Sequence, residues 1–237
     1  NRIINKKVVK KVSKRFKWVV RTAFFIYIIY AYLTIYRQGN FFSFLVLNTF
    51  LAYLPVEISF HMNESQPKII YWLLFVCWLL FYPNAPYVLT DLFHLARMNP
   101  YDAATGLMKF DLHLRLYFTN LVISALACCL MGVWSLEYVT QTLQVRFRKP
   151  GLGWRTIIVT VLTIFSSVGV FVGRFLRLHT AYLFFDPGFV IKELITMWSP
   201  RMLAFVFMMF LLQMTVWVSI TIGRITITNL DSKYNLQ

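Results

Sequence analysis

Apolar residues crowd into six stretches of the chain, and polar residues gather between them. The stretches run Trp18–Tyr36, Phe41–Phe60, Ile69–Tyr82 (reaching toward Leu89), Leu116–Val139, Thr156–Leu178 and Met202–Ile222. A helix needs about 20 mostly apolar residues to cross a hydrocarbon core. The pattern therefore predicts an all-α fold, a polytopic membrane bundle of about six transmembrane helices. One membrane domain is expected over 18–223, after a basic segment over 1–17 and before a tail over 224–237. No internal repeat is visible. The third stretch is short and runs into Tyr82-Pro83-Asn84-Ala85-Pro86-Tyr87. Its two prolines remove two amide donors and disfavour helix just before each ring. That span is expected to end or unwind there and to lead into an outer polar loop. The first stretch is long and lacks a small-residue cleavage site, so it reads as a span rather than a cleavable signal.

Composition sharpens this reading. Hydrophobic residues make up 59% of the 237 and charged residues only 14%, with mean hydropathy +0.62. Soluble domains carry about 25% charged residues, so intrinsic disorder, a collagen-like rod and a soluble single-core enzyme are all excluded. The formal net charge of +15 would suggest nucleic acid in a soluble chain. Here the basic residues flank apolar runs, which makes anionic lipid head groups the expected partner and nucleic acid not one. Cys77, Cys128 and Cys129 all lie within apolar runs, so neither a disulfide framework nor a cysteine zinc pattern follows.

Orientation follows from where the cations sit. Arg2, Lys6, Lys7, Lys10, Lys11, Lys14, Arg15, Lys17 and Arg21 precede or open the first span, and Arg146, Arg148, Lys149 and Arg155 lie between the fourth and fifth. With six spans both groups fall on one side, so both termini are expected in the cytoplasm, in a multi-pass protein of the cell membrane. Within 1–17, Ile4, Val8, Val12 and Phe16 form one helical stripe, with Lys6, Lys10, Lys14 and Lys17 on another face. The pattern fits a basic amphipathic helix on anionic lipid, or an ordinary cytoplasmic anchor.

The outer side then carries Asp91, His94, Asp102, Asp111, His113, Arg174, Arg177, His179 and Asp186. Ionisable groups near hydrocarbon normally face a bundle interior and find partners. Asp91 and His94, three apart, share a helical face. With Asp111 and His113 they could supply oxygen and nitrogen ligands to a divalent metal such as zinc, manganese or iron, although no zinc signature is present. Each has a structural alternative. Thr90 or Asp91 could cap a short helix through Leu92–Ala96, and Asp111 could cap the fourth span. Asn84, Asp91, Arg174 and Arg177 form the candidate ligand-binding set, the two arginines serving as counter-ions or as a clamp for phosphate or carboxylate.

Two polar stripes support an interior site. His113, Tyr117, Asn120 and Ser124 step down one face of the fourth span, and Thr160, Ser167 and Arg174 recur every seven residues in the fifth. Gly169 and Gly173 read first as a close helix-packing pair. Glu57 and Glu137, near inner ends, are expected to meet Lys68 or the Arg146–Arg155 cluster. Trp18, Tyr36, Tyr82, Tyr87, Trp154 and Trp198 lie near span ends, where amphipathic rings favour the interface.

The run Trp78-Leu79-Leu80-Phe81-Tyr82-Pro83-Asn84-Ala85-Pro86-Tyr87, followed by Thr90-Asp91-Leu92 and His94-Leu95, resembles the domain of unknown function 1361, a family of uncharacterised bacterial membrane proteins. Gly173-Arg174-Phe175-Leu176-Arg177 is similar to a second family segment. Where that segment continues Trp-Asn-Ser-Trp-Asp, this chain has Leu178-His179-Thr180-Ala181-Tyr182. The resemblance implies a bacterial membrane setting and a fold, with no activity attached. Three functional classes stay open. The first is a binding or transport-associated component with an outward polar cavity for an anionic head group or small solute. The second is a metal-assisted hydrolase or transferase acting on an extracytoplasmic lipid-linked substrate. The third is an accessory subunit of a membrane complex with a protein partner.

Overall fold

A computed structural model describes residues 12–39, 41–176 and 185–234. Among these the regular structure is helical, with one isolated bridge between Tyr101 and Met108 in the connection before the fifth helix. Six helical stretches are long and apolar enough to cross a membrane: Lys14–Thr34, Phe41–His61, Lys68–Met98, Leu112–Phe147, Leu152–Leu176 and Pro200–Thr228. The chain is an all-α, multi-pass membrane protein. The described helices are α1 (Lys14–Thr34), α2 (Phe44–His61), α3 (Lys68–Phe81), α4 (Asn84–Thr90), α5 (Leu112–Phe147), α6 (Leu152–Phe171), α7 (Pro187–Thr196) and α8 (Pro200–Tyr234). A 3-10 segment, Asp91–Met98, extends α4, and a π segment, Val172–Leu176, extends α6.

Local chemistry sets the helix ends. The Ser13 hydroxyl accepts the Phe16 amide at 3.1 Å and starts α1. Asp111 accepts the His113 amide at 2.8 Å and starts α5, the capping role expected of it. Asp186 accepts the Phe189 amide at 3.0 Å ahead of α7, whose first residue is Pro187. Between Met98 and Asp111, the Asp102 carboxylate accepts the amides of Thr105 and Ala104, both at 2.9 Å. Those donors favour its charged form and hold the carboxyl below its ordinary pKa.

The third span is broken at the proline motif, as its sequence leads one to expect. It does not end at the proline motif: the helix breaks over Tyr82 and Pro83 only, then resumes as α4 and continues to Met98. Pro83 precedes the first turn of α4, where its amide would have had no helical partner. The carbonyl of Pro83 still accepts Tyr87 N–H at 3.0 Å. The Asn84 side-chain amide donates to the Phe81 carbonyl at 2.9 Å, satisfying an acceptor at the break. Tyr82 stacks on Trp78 with centroids 4.6 Å apart, which keeps the two halves in register.

The chain divides into two compact units, Asn1–Val159 and Thr160–Gln237. In the first, α5 runs through the middle and packs on α2 and α4. At 36 residues it is roughly 54 Å long, well beyond a hydrocarbon core of about 30 Å. One face carries Asn120, Ser124, Cys128, Gly132, Ser135 and Thr142, and each neighbour reaches it through a polar or small group. Tyr27 of α1 donates to the Asn120 carbonyl at 2.8 Å, and Thr49 of α2 pairs with Ser124 at 2.7 Å. Trp78 of α3 donates to Ser135 at 2.7 Å, and Tyr71 pairs with Thr142 at 2.8 Å. In lipid, where apolar burial does not separate helices from their surroundings, such bonds and close approaches hold a bundle together. The second unit shows the same device, with Gln213 of α8 donating to Ser167 of α6 at 2.9 Å.

Candidate functional site

Among the described residues two acids of the first unit are buried, Glu137 and Asp91; the candidate centre is built on Asp91. Asp91 opens the 3-10 segment after α4 and has no exposed surface. The Asn48 amide of α2 donates to its Oδ2 at 2.7 Å. The His94 Nδ1 lies 3.0 Å from the Asp91 backbone oxygen and 3.7 Å from Oδ1, so the spacing of three does bring the pair together. The imidazole sits against Phe44, with centroids 4.4 Å apart, and against Phe41 at 5.4 Å. The Arg97 guanidinium covers Phe41 at 4.0 Å. His94 keeps 19% of its side chain exposed while the carboxyl keeps none, so the imidazole is the wetter end of the pair. Thr49, next to Asn48 on α2, continues the polar surface through Ser124 to Cys128 Sγ, 4.0 Å from the Ser124 hydroxyl. The Thr90 side chain does not cap the following turn: it donates to the Tyr87 carbonyl at 2.6 Å, and the Asp91 carboxylate accepts the Asn48 amide.

The other sequence candidates lie as follows. Asn84 is bonded to Phe81. Asp111 and His113 are exposed at the start of α5, and among the described residues no three His, Cys, Asp or Glu side chains converge to hold a metal ion. Arg174 lies half-buried in the π segment of the second unit. Arg177 and His179 lie outside the described residues, as do Ile4 and Val8 of the N-terminal stripe. The described end of that stripe, Val12 and Phe16, packs against the protein core, with Phe16 5.2 Å from Trp134 between centroids.

Two further ion pairs were read from the sequence with mixed outcome. Glu137 meets Arg155 as expected, in a bidentate contact with Nε 3.1 Å from Oε1. Glu57 does not meet Lys68 or the Arg146–Arg155 cluster. It accepts Arg21 of α1 at 3.0 Å and 2.5 Å, the Tyr53 hydroxyl, and His61 at 3.0 Å. Arg146 instead donates to the Gln66 carbonyl at 2.6 Å and lies 3.7 Å over the Tyr71 ring. Asn48 is the site residue that sequence reasoning missed. A single amide in the middle of an apolar span is itself a pointer, but nothing in the sequence says which segment it meets.

Chemically the centre is a carboxyl within a span, with an amide and an imidazole beside it. It can anchor a cation or a donor-bearing group. No curated protein and no solved structure matches the chain. Residues 47–216 match the model of the family described as protein of unknown function (DUF1361), a range that takes in Asn48, the proline motif, Asp91, His94 and Arg174; the chain belongs to that family.

Proposed function

We propose that the chain is a binding or transport-associated membrane component, with Asp91, Asn48 and His94 as its ligand-holding centre. The observation that carries this reading is an acid with no exposed surface inside a candidate span. Such groups are costly in lipid and mark solute, ion or proton pathways. The sequence alone left an anionic head group and a small solute open. The carboxyl favours a small solute with positive charge or donor groups, the proton being the smallest, because an anion beside it would be repelled. The test is flux into liposomes carrying the purified protein under a potassium diffusion potential, read with an internal pH dye and an internal sodium dye. Wild type should pass one of the two cations, and Asp91→Asn, which keeps the side-chain shape, should abolish that flux while melting as a folded protein. Unchanged flux in Asp91→Asn, or none in wild type, would remove the reading.

In the same proposal both termini and the Arg146–Arg155 connection face the cytoplasm, so the segment after α4 opens to the outer side. Six candidate spans agree with this parity, and the cation distribution sets the direction. Single cysteines at Gln38 and Lys149, in a chain without native cysteines, should react from outside and from inside respectively. Outside labelling of Lys149→Cys would invert the orientation.

A further inference from the structure

The first two helices leave a groove of about 310 Å³ between them, walled by Trp18, Arg21, Phe25 and Ile28 of α1 and by Phe50 and Tyr53 of α2. We propose that this groove seats one acyl chain of an anionic phospholipid, with the head group at the Lys14 end of α1.

The wall chemistry is the first support. Two of its three polar members, Arg21 and Tyr53, turn their polar atoms to Glu57, and the third, Thr22, carries a single hydroxyl. The rest of the lining is ring and hydrocarbon surface, which suits a chain of methylenes better than water.

Charge is the second and independent support. Arg21 is paired with Glu57, while Lys14 and Arg15 stand exposed in the first turn of α1. A zwitterionic head group does not answer those two charges, whereas an anionic one does. The order along the helix matches a phospholipid. Lys14, Trp18, Arg21, Phe25 and Ile28 follow one another by four, three, four and three residues, a single stripe on one helical face. Cations and an exposed tryptophan stand at one end, and hydrocarbon at the other. Trp18 is 64% exposed, with the Arg21 guanidinium 5.4 Å from its ring centroid, as interfacial aromatics are found.

The test uses the full chain reconstituted in vesicles of mixed phosphatidylglycerol and phosphatidylcholine, then extracted into detergent and read by native mass spectrometry. Wild type should retain phosphatidylglycerol over phosphatidylcholine by roughly tenfold. Thr22, exposed and beside the groove, can be enlarged without touching the core. Thr22→Trp should fill the groove and lose the retained lipid, and Ile28→Trp should do the same from the deeper end if the first variant folds poorly. Lys14→Gln with Arg15→Gln should still retain a lipid but without preference. Equal retention of both lipids by wild type would overturn the proposal. So would a plugged groove that keeps its lipid, or wild type that carries none.

Discussion

Replacing Glu137 with Ala should destabilise the protein by about 3–5 kcal/mol, because it strands a charge inside the bundle. Glu137 on α5 keeps 7% of its side chain exposed and Arg155 on α6 keeps 18%. The pair closes the α5–α6 hairpin from within. Its turn is already specified by Arg148 in the left-handed region (φ 54°) and by the Gln144 amide, which donates to the carbonyls of Lys149 and Gly151. The turn therefore survives the substitution, and the loss falls on the unpaired guanidinium. Arg155→Ala should cost a similar amount by leaving a buried carboxylate. Removing both, as Glu137→Leu with Arg155→Leu, should cost much less than the sum, since a buried ion pair is often no better than apolar packing of similar volume. Denaturant unfolding of the four proteins in micelles, analysed as a double-mutant cycle, checks this. Additive losses would show that the two side chains do not act as a pair.

The same pair shows which parts of the site were legible. Glu137 and Arg155 stand 18 residues apart across one short turn between consecutive helices, so their meeting follows from the span pattern alone. Asp91 and His94 are legible for a similar reason, being separated by less than one helical turn. Asn48 and Asp91 are 43 residues apart and sit on elements whose facing surfaces are fixed by packing, which no local periodicity reveals. Glu57 illustrates the opposite error. Nearest-cation reasoning aimed it at Lys68 and at the Arg146–Arg155 cluster, yet α2 turns that face to α1 and Arg21. The proline motif was legible as a break but not as a repaired one. Prolines announce missing donors, whereas the bond from Asn84 to Phe81 depends on a side-chain geometry that only the folded segment defines. The spans themselves were plain because hydrocarbon thickness dictates their length.

Gly132→Leu should be close to intolerable, and even Gly132→Ala should cost about 1–3 kcal/mol as an overpacking defect. A Cβ at Gly132 would lie 2.6 Å from the Ala85 Cβ and about van der Waals distance, 4.0 Å, from the Tyr82 ring. Ala85 is fully buried in the first turn of α4, so it has no side chain to swing aside and only helix displacement can relieve the clash. That turn is anchored by the Tyr82–Trp78 stack and the Asn84–Phe81 bond, so displacement would break contacts already made. Six residues further on stands Asp91, and a shifted α4 would pull it from Asn48. The substitution should therefore impair the cation flux proposed for Asp91 as well as lower the melting temperature. Ala85→Gly with Gly132→Ala returns the missing space and should recover most of both losses. Gly223→Ala in α8, where an added Cβ meets nothing within 4 Å, is the control. It should be neutral or stabilising by up to about 1 kcal/mol through helix propensity. If Gly132→Ala behaved like Gly223→Ala, α4 would not be held against α5 at this point, and the placement of Asp91 would need another support.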